Sequence, residues 1–296
     1  MKACVFIITK QGIHSLNEAT VLYYGFFFPE ETANSITNIT TARFQSLLTQ
    51  SSEFKQFVDD LLTNYNLTST NDLYAKPLDP NTGKYDPYYH VTTKYCGSHG
   101  DLCPGYGEQV DSVIGHTFET TMVGFVFTNR TYGIRVNLTA EQRKIFDNDA
   151  RKGVHYRTMN EISSNYPGIR FEEQPENYNP TDTKAHVTIG TAPRISAVTT
   201  GPDLLEVIAY EKDASINRTT LPVEEGHFVT YRNGDEKVFV LYPHQKMIAD
   251  TTFEPYLNPF NSSGSDNSAA SEIKHCSWFA MLAVIGGLTE FILLEN

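Results

Sequence analysis

Apolar positions in this chain change period several times, and each change marks an element. Residues 21–28 (VLYYGFFF) are apolar almost without a break, rich in aromatic side chains, and Pro29 stops the run, which predicts a buried strand. Two helical patterns follow. In the second, Phe54, Phe57, Val58, Leu61 and Leu62 recur at i, i+3, i+4, i+7 and i+8, one apolar stripe behind the candidate caps Ser51 and Ser52. Strand-like runs return at residues 114–128, 133–138 and 185–189. Thr200-Gly201-Pro202-Asp203 opens another helix, with Pro in the first turn, Asp complementing the dipole, and Leu204, Leu205 and Ile208 turned inward. Residues 228–232 and 237–242 flank Asn233-Gly234, which predicts a type I′ hairpin because that turn needs positive φ at both central residues.

The connections are polar. Residues 71–87 are rich in Asn, Asp and Pro, and residues 143–182 carry so little pattern that a long irregular connection is expected. Strands and helices are mixed without βαβα alternation, so the expected fold class is α+β with antiparallel sheets. The expected domain spans residues 21–257, after a lead segment 1–20 whose apolar run is shorter than a usual signal-peptide core. A Ser/Asn/Gly linker, 258–276, then leads to residues 277–294, which are apolar apart from a few hydroxyls and Glu290. As a helix that segment would reach about 27 Å, enough for a thin bilayer core. Membrane association through the C-terminus is therefore expected, the side left open. The form is either a tail anchor or a GPI signal beginning at the small residues Ser268-Ala269-Ala270.

The 296 residues suffice for one large domain or two small ones, and the formal charge of −12 argues against a surface that grips long nucleic acids. A small phosphorylated ligand or the end of an RNA remains compatible. Among the four cysteines, Cys96 and Cys103 bracket a Gly-containing loop short enough to close as a disulfide. With His99 they also offer three metal ligands, although the spacing matches no familiar zinc pattern. Asn-x-Ser/Thr acceptors stand at Asn38, Asn66, Asn129, Asn137, Asn217 and Asn261, a mild lean toward a secretory route.

One phrase occurs twice: His90-Val91-Thr92-Thr93 and His186-Val187-Thr188-Ile189. Its β-branched residues favour extended backbone, and on a strand residues two apart share a face. Each copy would then present an imidazole that can move a proton near neutral pH beside a hydroxyl that can hydrogen-bond an oxyanion. Two such strands facing each other would surround a small anionic group with an acid, a base and two hydroxyls, a site for phosphoryl chemistry. No Walker phosphate loop, GxGxxG turn, G-x-S-x-G elbow or HExxH pair is present.

These motifs, with Tyr23-Tyr24-Gly25-Phe26-Phe27, Lys94-Tyr95-Cys96 and residues 200–205 (TGPDLL), resemble the 2H phosphoesterase superfamily. Within it, the chain from about residue 20 to about 257 is most similar to the 2′,3′-cyclic-nucleotide 3′-phosphodiesterase family. The resemblance implies two pseudo-twofold lobes with antiparallel sheets flanking a central cleft, working without metal or organic cofactor. It also implies hydrolysis of nucleoside 2′,3′-cyclic phosphates, free or at an RNA 3′ end, to 2′-phosphates. His186 would activate water and His90 protonate the 3′-oxygen, with Thr92 and Thr188 on the non-bridging oxygens. Lys184 stands where the family has arginine, Tyr95 at a base-stacking position, and Tyr23 on the strand near the water. An alternative is a catalytically silent, membrane-tethered module that captures cyclic-phosphate or RNA ends.

Overall fold

The structure, a computed structural model, describes residues 20–76, 89–97, 102–146, 166–174 and 184–258. Residues 1–19 of the lead segment, 259–276 of the linker and 277–294 lie outside the described residues, as do His99 and Asn261, while Thr20 and Asn258 belong to strands. Among the described residues no helix is long and apolar enough to cross a membrane. Residues 20–258 form one compact unit.

The apolar run at the start becomes β1 (Thr20–Phe27), with Phe26 fully buried. Pro29 ends it and opens α1 (Glu30–Gln50), whose first turn carries Glu30 and Glu31 against the positive end of the helix dipole. Ser51 caps α2 (Ser52–Asn64) by accepting a hydrogen bond from the Phe54 amide at 3.2 Å. The stripe of α2 faces inward. Phe54 packs edge-on against Phe44, Phe127, Phe228 and Phe239 with centroids 5.0–5.7 Å apart. Removing that ring would cost about 3–5 kcal/mol of stability.

The remaining elements are β2 (His90–Tyr95), α3 (Tyr106–Val110), β3 (Thr117–Phe127), β4 (Thr131–Asn137), α4 (Ala140–Phe146), β5 (Arg170–Glu173), β6 (His186–Thr191), α5 (Thr200–Lys212), β7 (Asn217–Val223), β8 (Gly226–Asn233), β9 (Glu236–Pro243) and β10 (Gln245–Asn258). Every strand pair is antiparallel, which with the helices makes the fold α+β. The strand order is β5-β10-β1-β2-β6-β4-β3-β9-β8-β7, and β10 also pairs with β3. The pairings β10-β1-β2-β6-β4-β3-β10 therefore close on themselves. β10 makes this possible by its length: residues 247–252 pair with β3 and residues 252–258 with β1.

Several local expectations change, and one of them is the inward face of α5, where Leu204 and Ile208 are buried but Leu205 is 48% exposed. The stretch 143–182 is not wholly irregular, since it holds the end of α4 and all of β5, elements too short to leave a period in the sequence. β7 and β10 were not expected as strands. Yet Met247, Ala249, Thr251 and Phe253 are all buried, a period of two obscured by the apolar, also buried Ile248, the polar Thr251 on the inward face and Pro255. The hairpin between β8 and β9 sits one residue further on: Asn233 pairs with Glu236, so Gly234 and Asp235 form the loop. Only Gly234 has positive φ, 62°, the requirement of a type II′ turn rather than I′.

Candidate active site

The two motif strands are neighbours. β2 and β6 pair antiparallel through Val91 and Val187, both fully buried against the main core. Side chains alternate along a strand, so the flanking histidines and threonines take the opposite face, where all four are half-buried. Continuing the register by one residue each way sets His90 across from Thr188 and Thr92 across from His186. Each imidazole thus faces the other motif's hydroxyl.

His186 is oriented by its own backbone. Its Nδ1 lies 2.7 Å from the Lys184 carbonyl oxygen, which only accepts, so Nδ1 carries the proton and Nε2 presents its lone pair. Desolvation holds the His186 pKa below its ordinary value. The positive charges of His90 and Lys184 act in the same direction, against the Lys184 carbonyl and Asp203. A neutral ring with a free Nε2 is equipped to accept a proton. Lys184 is exposed just outside β6, so it contributes both a carbonyl and a nearby charge.

The α5 N-terminus backs this half of the site. Thr188 Oγ1 donates to Thr200 Oγ1 at 3.0 Å, and a Cβ on Gly201 would lie 3.5 Å from His186 Cε1. Asp203, only 2% exposed, anchors the helix end: its carboxylate accepts from Thr128 Oγ1 and Thr131 Oγ1, each at 2.7 Å, and from the Arg130 guanidinium. Arg135, paired across the strands with His186, is buried and ion-paired to Glu211, which also accepts from the Tyr242 hydroxyl.

The other half is aromatic. His90 pairs with Phe27 on β1, centroids 5.2 Å apart, and its ring stacks on Tyr23 at 4.7 Å and 22°. Tyr23 is buried, a wall of the site rather than an open surface. Tyr95, its cross-strand partner at the end of β2, is 47% exposed and offers a free flank to a planar group. The Thr92 hydroxyl makes no hydrogen bond among the described residues, which leaves its proton for a ligand.

Both motif strands are held by the same pairing pattern. On β2, residues 90, 91, 92, 94 and 95 pair with 27, 26, 25, 24 and 23 of β1. On β6, residues 186, 187, 188, 190 and 191 pair with 135, 134, 133, 132 and 131 of β4. In each the register slips after the motif threonine, and the residue opposite that threonine is glycine, Gly25 or Gly133.

All seven residues singled out from the sequence therefore lie on β1, on β2, on β6 or just before β6. Sequence reasoning gave Asp203 a part only in starting its helix, and no site role to Thr200, Gly25, Gly133 or Tyr256. The available signals were a glycine inside a strand, which marks close backbone approach, and the hydroxyl and carboxylate of the TGPD helix start. Cys96 and Cys103 are disulfide-bonded, with Cα atoms 4.9 Å apart, so their thiolates do not serve the alternative of a metal. Among the described residues no group of three or more His, Cys, Asp or Glu is placed to hold one.

The antiparallel α+β domain with paired His-x-Thr strands sharing one face resembles the 2H phosphoesterase class. Within it, residues 20–277 match the family described as 2′,3′-cyclic nucleotide 3′-phosphodiesterase (CNP or CNPase), and the chain belongs to that family. A Pongo abelii protein named 2′,3′-cyclic-nucleotide 3′-phosphodiesterase is 25% identical over 224 residues, 72% of this chain and 45% of that protein. A solved fungal RNA kinase structure aligns with 77% of this chain and 45% of its own, at 15% identity and a TM-score of 0.34. The chain thus spans less than half the length of each of these two relatives.

Proposed function

We propose that this domain hydrolyses nucleoside 2′,3′-cyclic phosphates, free or at an RNA 3′ end, to 2′-phosphates. The observation that carries the reading is the Val91–Val187 pair, which sets an imidazole and a hydroxyl of each motif across from those of the other. In-line hydrolysis needs a base on one side of phosphorus and an acid on the other. His186 Nε2 takes a proton from water as its oxygen bonds to phosphorus. The bond from phosphorus to the 3′-oxygen breaks, and His90 donates the proton that leaves a 3′-hydroxyl. Thr92 and Thr188 hydrogen-bond the non-bridging oxygens as charge builds there. For Thr188 the hydroxyl rotates toward the phosphate and accepts from Thr200 instead of donating to it.

Tyr95 stacks on the base and Lys184 adds positive charge near the phosphate. Tyr23 holds His90 rather than the ligand. The repeated register of β1–β2 and β4–β6 supports a pseudo-twofold relation between two lobes, with the substrate on the axis. Both proton transfers are assigned to side chains, so the reaction needs no metal. The test is turnover of 2′,3′-cyclic AMP by the purified chain in excess EDTA. Metal-free turnover is expected; tight binding without turnover would leave the silent capture module as the better reading.

A further inference from the structure

Four rings surround the end of β1 in a way that the proton transfers do not require. β1 lies between β2 and β10, and Tyr23 stacks on a ring from each: His90 at 4.7 Å and 22°, Tyr256 at 4.8 Å and 10°. Phe27 closes the group, 5.2 Å from His90, 6.0 Å from Tyr23 and 6.4 Å from Tyr256. Strand register builds this arrangement. Tyr256 pairs with Tyr23 and Phe27 pairs with His90, while Gly25 between them adds no side chain to the row.

A ring face is negative, so an imidazolium gains more from such a stack than a neutral imidazole does. We infer that Tyr256 is a positioning residue for His90: through Tyr23 it fixes the plane of the imidazole and favours its protonated form. This rests on reading His90 as the acid that protonates the 3′-oxygen. The two halves of the site are then biased in opposite directions by different means. Desolvation and neighbouring cations keep His186 neutral, and parallel rings keep His90 charged. Tyr256 lies more than one hundred and sixty residues from either end of β2, which is why no local pattern joins it to the motif.

Other charges around His90 bear on its protonation and stay constant in the comparison that follows. His186 on β6 opposes a proton there, since the two imidazoles repel when both are charged; Lys184 before β6 and Lys94 on β2 are the lysines of the two motif segments. On β10, Glu254 faces the same row, opposite Gly25, and burial pushes its carboxyl above the usual range. The phenols of Tyr23 and Tyr256 stand in the same row. Only the ring of Tyr256 differs between the variants.

The test is an NMR titration of the His90 imidazole in the full chain, assigned by the loss of its signal in His90→Gln. Tyr256→Phe keeps the ring and should leave the His90 pKa within ~0.2 of wild type. Tyr256→Leu should lower it by roughly 0.3–0.5 unit, a part of one cation–π contact, because Tyr23 keeps the direct stack on His90. The basic limb of the kcat/KM profile should move down by the same amount, and kcat at pH 7.5 should fall about two- to threefold with KM unchanged. If leucine disturbs the sheet edge, Tyr256→Met supplies the same comparison. An unchanged His90 pKa in the leucine and methionine variants, or equal shifts in the phenylalanine and leucine variants, overturns the proposal. Absence of turnover in wild type would instead overturn the reading of the site, whereas the titration reports on the stack without any turnover.

Discussion

Gly25 and Gly133 occupy equivalent places, the first opposite Thr92 and the second opposite Thr188, each where the register slips. A Cβ on Gly25 would stand 3.0 Å from the Val91 carbonyl oxygen. One on Gly133 would stand 2.9 Å from Thr200 Cγ2 and 3.3 Å from the Val187 carbonyl oxygen. Both glycines thus let a neighbouring strand approach a motif strand closely, and Gly133 also lets α5 settle against Thr188.

Alanine at either glycine should therefore disturb the site more than the fold. Gly25→Ala and Gly133→Ala should each cost about 1–3 kcal/mol of stability by overpacking. Both should lower kcat at least tenfold, since sub-ångström shifts of positioned groups are costly. Denaturant unfolding and steady-state kinetics check this. Wild-type kcat in both variants would show that close strand approach does not set the site.

His186 sets the acidic limb of the pH profile. Its pKa lies below the ordinary histidine value, so it stays neutral, and competent as a base, at pH values where a free histidine is already charged. The acidic limb of kcat/KM should fall below pH ~6.5. The same shift links to stability: between the lowered folded value and ~6.5 the unfolded chain binds more protons, so stability rises with pH across that window. Removing the Lys184 charge with Lys184→Met relieves one repulsion and should move the limb upward. A limb that moves down, or stays fixed, contradicts the electrostatic account.

Much of this was legible in the sequence, because the informative features are local. The His-Val-Thr phrase dictates one buried and two outward side chains on a strand, and the α2 stripe dictates which face that helix buries. Contacts made across long sequence distances were not legible. The pairing of Val91 with Val187 depends on how six strands close, and Asp203 meets Thr128 and Thr131 only after α5 has packed. β10 hid its period behind a buried Ile248 and an inward Thr251, so Tyr256 could not be joined to His90. The turn at Gly234 shows the same limit on a small scale, for a one-residue change of register alters which residues need positive φ.

The disulfide should steady the exposed flank. Cys96 follows Tyr95 directly and is fully buried, tied to Cys103 seven residues on. Closing so short a loop stabilises by about 2–3 kcal/mol in the chain-entropy account. Cys96→Ala with Cys103→Ala should lower stability by that amount and raise KM severalfold through looser placement of Tyr95, with kcat nearly kept. Thermal unfolding and kinetics check it; a fall in kcat at constant KM would show that the bridge serves the proton-transfer residues instead.

The position of the phosphate in the product tests the central claim most directly. Phosphorus NMR of 2′,3′-cyclic AMP hydrolysed in oxygen-18 water follows bond breaking and water attack together. The account predicts adenosine 2′-phosphate carrying one oxygen-18 on phosphorus, formed by wild type and lost by about two to four orders of magnitude in His90→Ala and in His186→Ala. A 3′-phosphate product, or undiminished turnover by His186→Ala, would contradict it.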